Sequence, residues 1–252
     1  LAYAGQENRD PQHAERYDQK MDADAPRELA DLLKLGIGKD STVVDLGAGT
    51  GQFALQAASA VKRVVAVDVS EVMLSRLRAK LKASAVENVE CVLAGFLTYE
   101  HQGDPADLVY TRFALHHLPD FWQAIAIDRM AAMLRPGGIL RLWDVVYSFD
   151  PSQAAERLES WMATAGRDVE GEWLRSEFED HIRDENSTFT WLLEPMLLKA
   201  GLAIKQADYS EDQITARYLC VKTPDGESMN AAMPSSKRWR PNSKESRASF
   251  SV

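Results

Sequence analysis

The sequence predicts an α/β protein with a Rossmann-like, doubly wound sheet of seven strands, mostly parallel, with a C-terminal antiparallel hairpin strand. Apolar runs of four to seven residues alternate with helix-length amphipathic segments between residues 24 and 222, which is typical of βα units on a parallel sheet. A glycine-rich loop directly follows the first of these runs, as in nucleotide-binding crevices. Two late runs, separated by a polar connector, predict the hairpin.

The first half of the chain reads as helix, then alternating strands and helices. Asp24 is the expected cap of the first helix, with Pro26 in its first turn and Gly36 just past its end, the usual preferences at helix ends. Ser70 is the expected cap of a helix that places Met73 and other apolar residues on one face. The predicted helices are 24–35, 52–60 and the one after Ser70; the predicted strands are 42–46, 63–68, 89–93 and 106–110.

The second half continues with a helix over 120–134, closed by the turn Arg135-Pro136-Gly137-Gly138, and a fifth strand over 139–146. A helix is expected to start at Asp150-Pro151, since proline is favoured at the first helical position. The acidic, tryptophan-containing stretch 166–186 is interpreted as an insertion. The remaining predicted elements are a helix over 187–200 and hairpin strands over 202–207 and 214–221.

We therefore expect one domain over residues 1–222, in which residues 166–186 form a cap insertion, followed by a tail over residues 223–252. The tail is rich in Ser, Pro, Asn, Lys and Arg and has no apolar periodicity. Such a segment cannot bury enough surface to offset its ordering entropy, so it is predicted to be disordered.

Charge and cysteine content narrow the class of protein. The net charge of −9 opposes a nucleic-acid partner, because such binding depends on neutralising phosphates with Lys and Arg. Cys91 and Cys220 lie far apart in apolar runs and are expected to be reduced and buried. No stretch reaches the ~20 apolar residues of a membrane helix, nor do the first residues show a signal-peptide core. We expect a cytoplasmic protein, monomeric or homodimeric, without membrane contact.

The loop after the first strand is the most informative segment. It reads Asp45-Leu46-Gly47-Ala48-Gly49-Thr50-Gly51 and leads into a helix. Glycines allow a sharp turn, positive φ and close approach of a ligand to the backbone. The helix that follows presents free N–H groups and a positive dipole end. A carboxylate or a phosphate would suit this position.

Asp68, at the end of the second strand, is the second signal. An acidic residue about 20 positions beyond a glycine loop accepts hydrogen bonds from ribose hydroxyls in both dinucleotide and adenosyl cofactors. Asp68 alone therefore does not decide between them. The loop spacing favours the second class, since dinucleotide loops read G-x-G-x-x-G and this one reads G-x-G-x-G behind an acidic residue.

With this loop the chain resembles the class I S-adenosylmethionine-dependent methyltransferases, in particular the small-molecule methyltransferases with D-L-G-x-G-x-G loops. The resemblance runs from about residue 17 to residue 222 and includes Tyr17-Asp18, the run Asp107-Leu108-Val109-Tyr110 leading to His116-His117-Leu118-Pro119-Asp120, and Leu134-Arg135-Pro136-Gly137-Gly138. It implies that the loop wraps the methionine part of S-adenosylmethionine, that Asp68 binds its ribose, and that the Tyr17 element folds over the cofactor. The residues expected to form the cofactor site are Tyr17, Asp45, Gly47, Ala48, Gly49, Gly51, Asp68, Val69, Met73, Gly95, Phe96 and Thr111.

One position departs from the family pattern. The family usually carries an acidic residue after strand three for the adenine amino group, and Gly95 stands there. Phe96 is a candidate for a flat contact to the adenine ring, or else an ordinary core residue.

The residues after strand four should face the methyl acceptor, because ligands of open α/β sheets bind beyond the carboxyl ends of the strands. Arg112 is expected to hold a carboxylate of the acceptor or cofactor, or to form a structural salt bridge. His116 and His117 are candidate general bases because they titrate near neutrality, although histidines here can equally be structural. No metal is predicted, since these histidines and His181, Glu177 and Asp180 show no recognised ligand spacing.

The function predicted is methyl transfer from S-adenosylmethionine to a small molecule. The 166–186 insertion, with Trp173, Phe178 and His181, is expected to cover the acceptor. Two alternatives stay open: a protein that binds S-adenosylmethionine without transferase activity, to which Gly95 lends support, and a less favoured NAD-dependent oxidoreductase.

Overall fold

One sheet runs through the part of the chain that the computed structural model describes, namely residues 24–166, 173–224 and the backbone of 237–238. Its strands stand in the order β3-β2-β1-β4-β5-β8-β7-β9, with β6 paired to β5. The strands are β1 (Thr42–Leu46), β2 (Arg63–Asp68), β3 (Val89–Leu93), β4 (Ala106–Arg112), β5 (Leu134–Tyr147), β6 (Thr188–Phe189), β7 (Leu202–Tyr209), β8 (Thr215–Lys222) and β9 (Lys237–Arg238).

Strands β1 to β5 are parallel, and the direction in which successive strands are added to the sheet reverses between β3 and β4. From β1 the chain proceeds outward to β2 and β3, then returns to place β4 on the other side of β1. Val43 of β1 pairs with Val64 of β2 and with Leu108 of β4. In open α/β sheets this switch point is where ligands bind, beyond the carboxyl ends of the strands. The end of β1 at Leu46 and the end of β4 at Arg112 therefore define the candidate site.

The C-terminal strands close the sheet in the predicted manner. β8 pairs antiparallel with both β5 and β7, which confirms the mostly parallel, Rossmann-like fold with an antiparallel hairpin. The structure adds two strands that were not predicted, β6 and β9, each of two residues. Two residues are too few for an apolar alternation to be visible in the sequence.

Helices cover both faces of the sheet. They are α1 (Ala25–Lys34), α2 (Gln52–Ala58), α3 (Glu71–Ala83), α4 (Asp120–Met133), α5 (Ala154–Met162), α6 (Arg175–Asp184) and α7 (Thr190–Lys199). One buried cluster joins the sheet to α1, α2 and α3, and a second joins it to α4 and α7. A third, aromatic cluster lies at the end of β5 and includes residues of α5 and α6.

A buried ionic network fixes α1 against the sheet. Glu28 is 1% exposed and accepts two hydrogen bonds from Arg141, at 2.7 and 2.8 Å, and one from Arg217 at 2.9 Å. A buried carboxylate is tolerated when it is paired and hydrogen-bonded. The network holds the start of α1 beside the carboxyl end of β4.

Two helix caps were predicted, and only one forms as expected. The Ser70 side chain accepts a hydrogen bond from the amide of Met73 at 3.2 Å at the start of α3, which confirms that cap. Asp24 occupies the cap position of α1, but its side chain makes no capping bond. It accepts a hydrogen bond from Arg112 instead, because a charged partner from β4 is within reach and charge-assisted bonds are the stronger ones.

Several element boundaries also differ from the prediction, most of all those of β5 and α7. β5 begins at Leu134, not at residue 139, and the predicted turn is absorbed in its irregular start, where the register to β4 shifts between Ala106 and Leu108. A Cβ atom added at Gly138 would lie 2.8 Å from the carbonyl oxygen of Arg135. The backbone at Gly138 therefore packs closely against the preceding turn, and glycine provides the necessary space. The predicted helix over 187–200 begins at Thr190, after β6.

The predicted tail over 223–252 lies almost wholly outside the described residues, as does Tyr17. Within the tail, 237–238 pairs in parallel with Asp208 and Tyr209 of β7. Disorder of the rest, and the division into a domain and a tail, stay predictions.

Candidate active site

The loop after β1 is held in a conformation that only glycine adopts easily. Gly47, Gly49 and Gly51 have φ of +74°, +54° and +83°. The amides of Gly47 and Ala48 both donate to the carbonyl of Val67, at 2.9 and 3.0 Å. A Cβ added at Gly47 would lie only 2.3 Å from Cβ of Ala114, so the backbone after β4 approaches the loop closely. The glycines leave the loop backbone open to a ligand.

Asp68 fastens this loop to the end of β2. One carboxylate oxygen accepts the amide of Gly49 at 2.8 Å, and the other accepts the amide of Ser70 at 2.8 Å. Burial raises the pKa of Asp68 above its ordinary range, against the opposing effect of these amides. A carboxylate has about four lone-pair positions, so each oxygen retains capacity for a ribose hydroxyl.

Asp45 carries a buried oxygen that lacks a partner. The residue is 2% exposed, and its Oδ2 has no hydrogen-bond partner among the described residues. Burial, together with the charge of Asp68, raises the pKa of Asp45 to about 8. Unpartnered buried polar atoms are rare and commonly mark a place for a ligand or water. A cationic group at the loop would satisfy this oxygen.

The structure gives a steric reason for Gly95, where the family usually has an acidic residue. A Cβ at this position would lie 2.6 Å from Cγ1 of Val69. The Gly95 amide donates to Oγ1 of Thr98 at 2.9 Å. An adenine-binding carboxylate at this position would displace Val69.

Of the other residues expected in the cofactor site, Phe96 is partly buried and packs against the core on the α4 face. Met73 is 2% exposed. Both therefore have packing roles, and their contact with the cofactor stays a prediction.

Arg112, at the end of β4, is paired and stacked. Its guanidinium donates to Asp24 at 2.8 Å and lies 4.3 Å from the ring centre of Trp143. Its Nε is buried without a hydrogen-bond partner among the described residues, which leaves one donor for an acidic group. The structural salt bridge that the sequence allowed is thus present, while a role in holding a ligand stays a prediction.

The residues on either side of Arg112 are also unusual. Thr111 is 1% exposed, and its Oγ1 has no partner in the described part of the chain. Phe113 has φ of +48°, a conformation that is strained for a bulky side chain and that is often found at functional sites.

His116 lies between two carboxylates. Its Nδ1 pairs with Oδ1 of Asp144, and its Nε2 is 3.0 Å from Oε2 of Glu185. Burial alone would lower the pKa of His116, but the two carboxylates outweigh it and raise the pKa to about 10. With both ring nitrogens facing carboxylates, His116 has no free nitrogen to take a proton from an acceptor.

His117 has the opposite environment. Burial, with the neighbouring positive charge of His116, lowers its pKa to about 4. Its Nδ1 is 3.9 Å from Oε1 of Glu185. The hypothesis of a histidine base therefore passes to His117, where it stays a prediction.

The described part of the 166–186 insertion packs onto these histidines. His181 of α6 contacts Oε2 of Glu185 through Nδ1, and its Nε2 is 2.8 Å from Oγ of Ser187. The amide of Asn186 donates to the carbonyl of His116 at 2.8 Å. Phe178 is buried against Trp161, with ring centres 4.9 Å apart. Residues 167–172 lie outside the described residues, so the idea of a cover over the acceptor stays a prediction.

Sequence reasoning missed Asp144 and Glu185. Asp144 had a signal, since a charged residue inside the apolar strand 139–146 is uncommon and implies a partner. It accepts the amides of Leu115 and His116, at 2.9 and 3.2 Å. Glu185 had no such signal in the sequence, because it is one of several acidic residues near the end of α6. Only the fold brings it to the histidines. Glu177 and Asp180, which were considered with His181, are not part of this cluster.

Comparison with known proteins shows which class of enzyme the chain resembles. A family model described as a methyltransferase domain matches residues 43–138, the segment that contains the glycine loop, Asp68 and the end of β4. With the fold described above, this match makes the chain similar to the class I S-adenosylmethionine-dependent methyltransferases, and a solved structure of similar fold contains bound S-adenosylmethionine. The open glycine backbone, the unpartnered Asp45 oxygen and Asp68 fit this molecule.

Individual relatives are distant. The chain is 29% identical over 161 residues to 27-O-demethylrifamycin SV methyltransferase of Amycolatopsis mediterranei, covering 62% of this chain and 56% of that protein. It is 29% identical over 195 residues to carboxy-S-adenosyl-L-methionine synthase of Wolinella succinogenes, covering 73% and 75%.

Among solved structures, magnesium protoporphyrin IX methyltransferase of Synechocystis with bound SAM matches with a TM-score of 0.55 and 16% identity, over 79% of this chain and 78% of that one. At this identity the likeness concerns the fold. None of the described helices is long and apolar enough to cross a membrane.

Proposed function

We propose that this protein transfers the methyl group of S-adenosylmethionine to a small-molecule acceptor. The observation that carries the proposal is the loop 45–51, in which three glycines with positive φ and the unpartnered oxygen of Asp45 stand beside Asp68. A cofactor with an α-ammonium group and a ribose matches these features. The match of the family model to the same segment supports it.

Methyl transfer from a sulfonium is mainly a problem of position. The positive sulfur already activates the methyl group, so the protein must hold an acceptor nucleophile about 3–3.5 Å from the methyl carbon, in line with the breaking bond and away from water. In this proposal the loop holds the methionine part, Asp68 holds the ribose, and the strand end at Thr111 faces the transferring group. Arg112 binds an acidic group of the acceptor through its unpartnered Nε.

The small size of the acceptor is inferred from charge. The chain has 38 acidic and 29 basic residues, and a nucleic-acid substrate would need a basic surface. The relatives compared above are named for small molecules, and the chain spans 56% of the length of the first.

A second candidate is a protein that binds S-adenosylmethionine without transferring its methyl group to an acceptor. Gly95 removes the usual adenine carboxylate, and one relative is named as a synthase that makes a modified S-adenosylmethionine. The first candidate produces S-adenosylhomocysteine and a methylated acceptor, whereas the second produces no methylated acceptor.

The test is turnover. The protein is incubated with S-adenosylmethionine and pools of candidate acceptors, and S-adenosylhomocysteine is quantified by mass spectrometry, with Asp68→Ala as the inactive control. We expect acceptor-dependent S-adenosylhomocysteine that Asp68→Ala reduces. Tight binding of S-adenosylmethionine without product for any acceptor class would favour the second candidate.

Location and assembly complete the proposal. Cys91 and Cys220 are both free thiols in the structure, which supports a reducing, cytoplasmic location. We propose a monomer or homodimer, to be checked by light scattering.

A further inference from the structure

Three histidines and two carboxylates converge where the segment after α6 meets the loop after β4. The residues are His116, His117 and His181, with Asp144 and Glu185. Methyl transfer by position does not require such a cluster. Its composition is that of a metal centre, because imidazole nitrogens and carboxylate oxygens are the usual ligands of divalent transition metals.

We propose that His116, His117 and Glu185 bind one divalent transition-metal ion. The candidate ligand atoms of these three residues all lie within 4.8 Å of one another. In a tetrahedral site with bonds of 2.0–2.1 Å, ligand atoms stand about 3.3 Å apart. Nε2 of His116 and Oε2 of Glu185 are 3.0 Å apart, and Nδ1 of His117 is 3.9 Å from Oε1. Small side-chain adjustments therefore bring all three to one ion.

The arrangement of Glu185 with the imidazoles of His116 and His181 supports an ion between them. Oε2 of Glu185 is buried and lies close to nitrogens of His116 and His181, yet it has no hydrogen bond of acceptable geometry among the described residues. Groups that are close but misaligned for hydrogen bonding are expected where both point at an ion between them.

Asp144 provides the support behind His116 that metal-binding histidines usually have. A ligating imidazole almost always donates its other N–H to a carboxylate or carbonyl, which fixes its tautomer and orientation. Nδ1 of His116 pairs with Oδ1 of Asp144, and Asp144 is itself held by the amides of Leu115, His116 and Val145. Nε2 is thereby directed at Glu185.

The charge of the cluster and its access to solvent also support a bound metal ion. Asp144 and Glu185 bring two negative charges into a largely buried place. A divalent ion bound to neutral histidines would replace the proton that His116 holds between these carboxylates and would balance both charges. The side chains of His117 and Glu185 are 26% and 21% exposed, so an ion has a path from solvent. A set of two nitrogens and one carboxylate favours Zn²⁺, Fe²⁺ or a similar ion over Mg²⁺ or Ca²⁺, which prefer all-oxygen sites.

The ion would join two distant parts of the chain. Glu185 follows α6, whereas His116 and His117 follow β4, so metal binding would fix the insertion on the acceptor side of the site. In this arrangement His117 is a ligand in place of the base that the sequence suggested. The inference does not depend on the proposed methyl acceptor.

The test uses the full chain and Zn²⁺ as the probe. Metal content is measured by mass spectrometry after purification without chelators, and Zn²⁺ affinity of the chelator-treated protein is measured by competition with a chromophoric chelator. The variants are Glu185→Gln and His117→Asn. The matched control is His101→Asn, since His101 lies outside the cluster and bonds to Tyr99 and Asp104.

We expect about one equivalent of metal per wild-type chain, and a loss of affinity of at least about tenfold in Glu185→Gln and His117→Asn but not in His101→Asn. Zn²⁺ should raise the melting temperature of the wild type and of the control only, because a ligand stabilises the form that binds it. Circular dichroism checks that the variants are folded.

Should a variant not fold, X-ray absorption of the zinc-loaded wild type decides the question. The proposal requires imidazole ligands with Zn–N distances of about 2.0–2.1 Å. Wild-type protein that binds no transition metal and shows no thermal shift, or variants that bind Zn²⁺ as tightly as the control, would overturn it.

Discussion

The two sides of the candidate site are built in different ways. The cofactor side is the loop 45–51 with Asp68, whose linking hydrogen bond to Gly49 spans 19 residues of sequence. The acceptor side joins the loop after β4, α4, β5 and the insertion, through contacts such as the bond of Gln123 in α4 to Asn186, which spans 63 residues. The cofactor side is a local backbone conformation that its glycines permit. The acceptor side forms only when the fold brings distant segments together. Variants on the two sides should therefore have separable effects.

Phe178→Ala should give the largest change and should act only on the acceptor side. Phe178 is 2% exposed in the aromatic cluster, and truncating a buried phenylalanine costs about 3–5 kcal/mol. We expect hydrogen exchange in α6 to accelerate while the affinity for S-adenosylhomocysteine stays within about twofold. The control is Phe121→Ala, because Phe121 is 68% exposed. Loss of cofactor affinity in Phe178→Ala would show that the two sides are not separable.

Gly47→Ala should have the next largest effect, now on the cofactor side. The new Cβ would lie 2.3 Å from that of Ala114 at a φ of +74°. Strain and overpacking together should cost roughly 2–4 kcal/mol of unfolding free energy. Cofactor affinity should fall roughly a hundredfold, or about 2.8 kcal/mol. Calorimetry and denaturant unfolding measure both.

Gly38→Ala is the matched control for that variant, since a Cβ there meets nothing within 4 Å. It should change stability by less than about 1 kcal/mol. Equal behaviour of the two alanine variants would contradict the close approach of the loop and β4.

Asp68→Ala should weaken S-adenosylmethionine binding by at least about tenfold, or about 1.4 kcal/mol, through loss of charge-assisted hydrogen bonds. The amide of Gly49 also loses its partner. Asp40→Ala, which removes an exposed carboxylate before β1, serves as control in the same titration. Unchanged affinity in Asp68→Ala would mean that the ribose lies elsewhere.

The smallest predicted effect is a pH dependence of cofactor binding. The pKa of Asp45 is raised to about 8 by burial and by Asp68, so this carboxyl is largely protonated in the free protein at pH 7. A cationic cofactor group favours the ionised form, so binding should release protons, and affinity should rise, by less than about tenfold per unit, as pH increases towards 8. Calorimetry in buffers of different ionisation enthalpy detects this release, and Asp45→Asn should abolish it. Identical heats in all buffers for the wild type would count against the assignment.

Much of the fold was predictable because its signals are local. The apolar runs of β1 to β4, the Ser70 cap and the hairpin β7–β8 each depend on neighbouring residues, and the structure has them within two residues of where the pattern placed them. Asp24 shows the limit of this reasoning. The residue has the right type and position for a cap, but a guanidinium 88 residues away takes its carboxylate.

The acceptor side was less predictable for the same reason. Arg112, His116 and His117 were recognisable by their place after β4, but their partners come from β5 and from the end of α6. Nothing in the local pattern distinguishes Glu185 from the acidic residues before it. Such a cluster exists only once the sheet order and the docking of α6 are known.

The central claim is that the loop 45–51 with Asp68 receives an adenosyl cofactor. Calorimetric titration of the wild-type protein with S-adenosylhomocysteine and, separately, with NAD tests it most directly. We predict about one site per chain for S-adenosylhomocysteine, weakened roughly a hundredfold in Gly47→Ala, and no saturable heat with NAD. Saturable binding of NAD with none of S-adenosylhomocysteine would contradict the account.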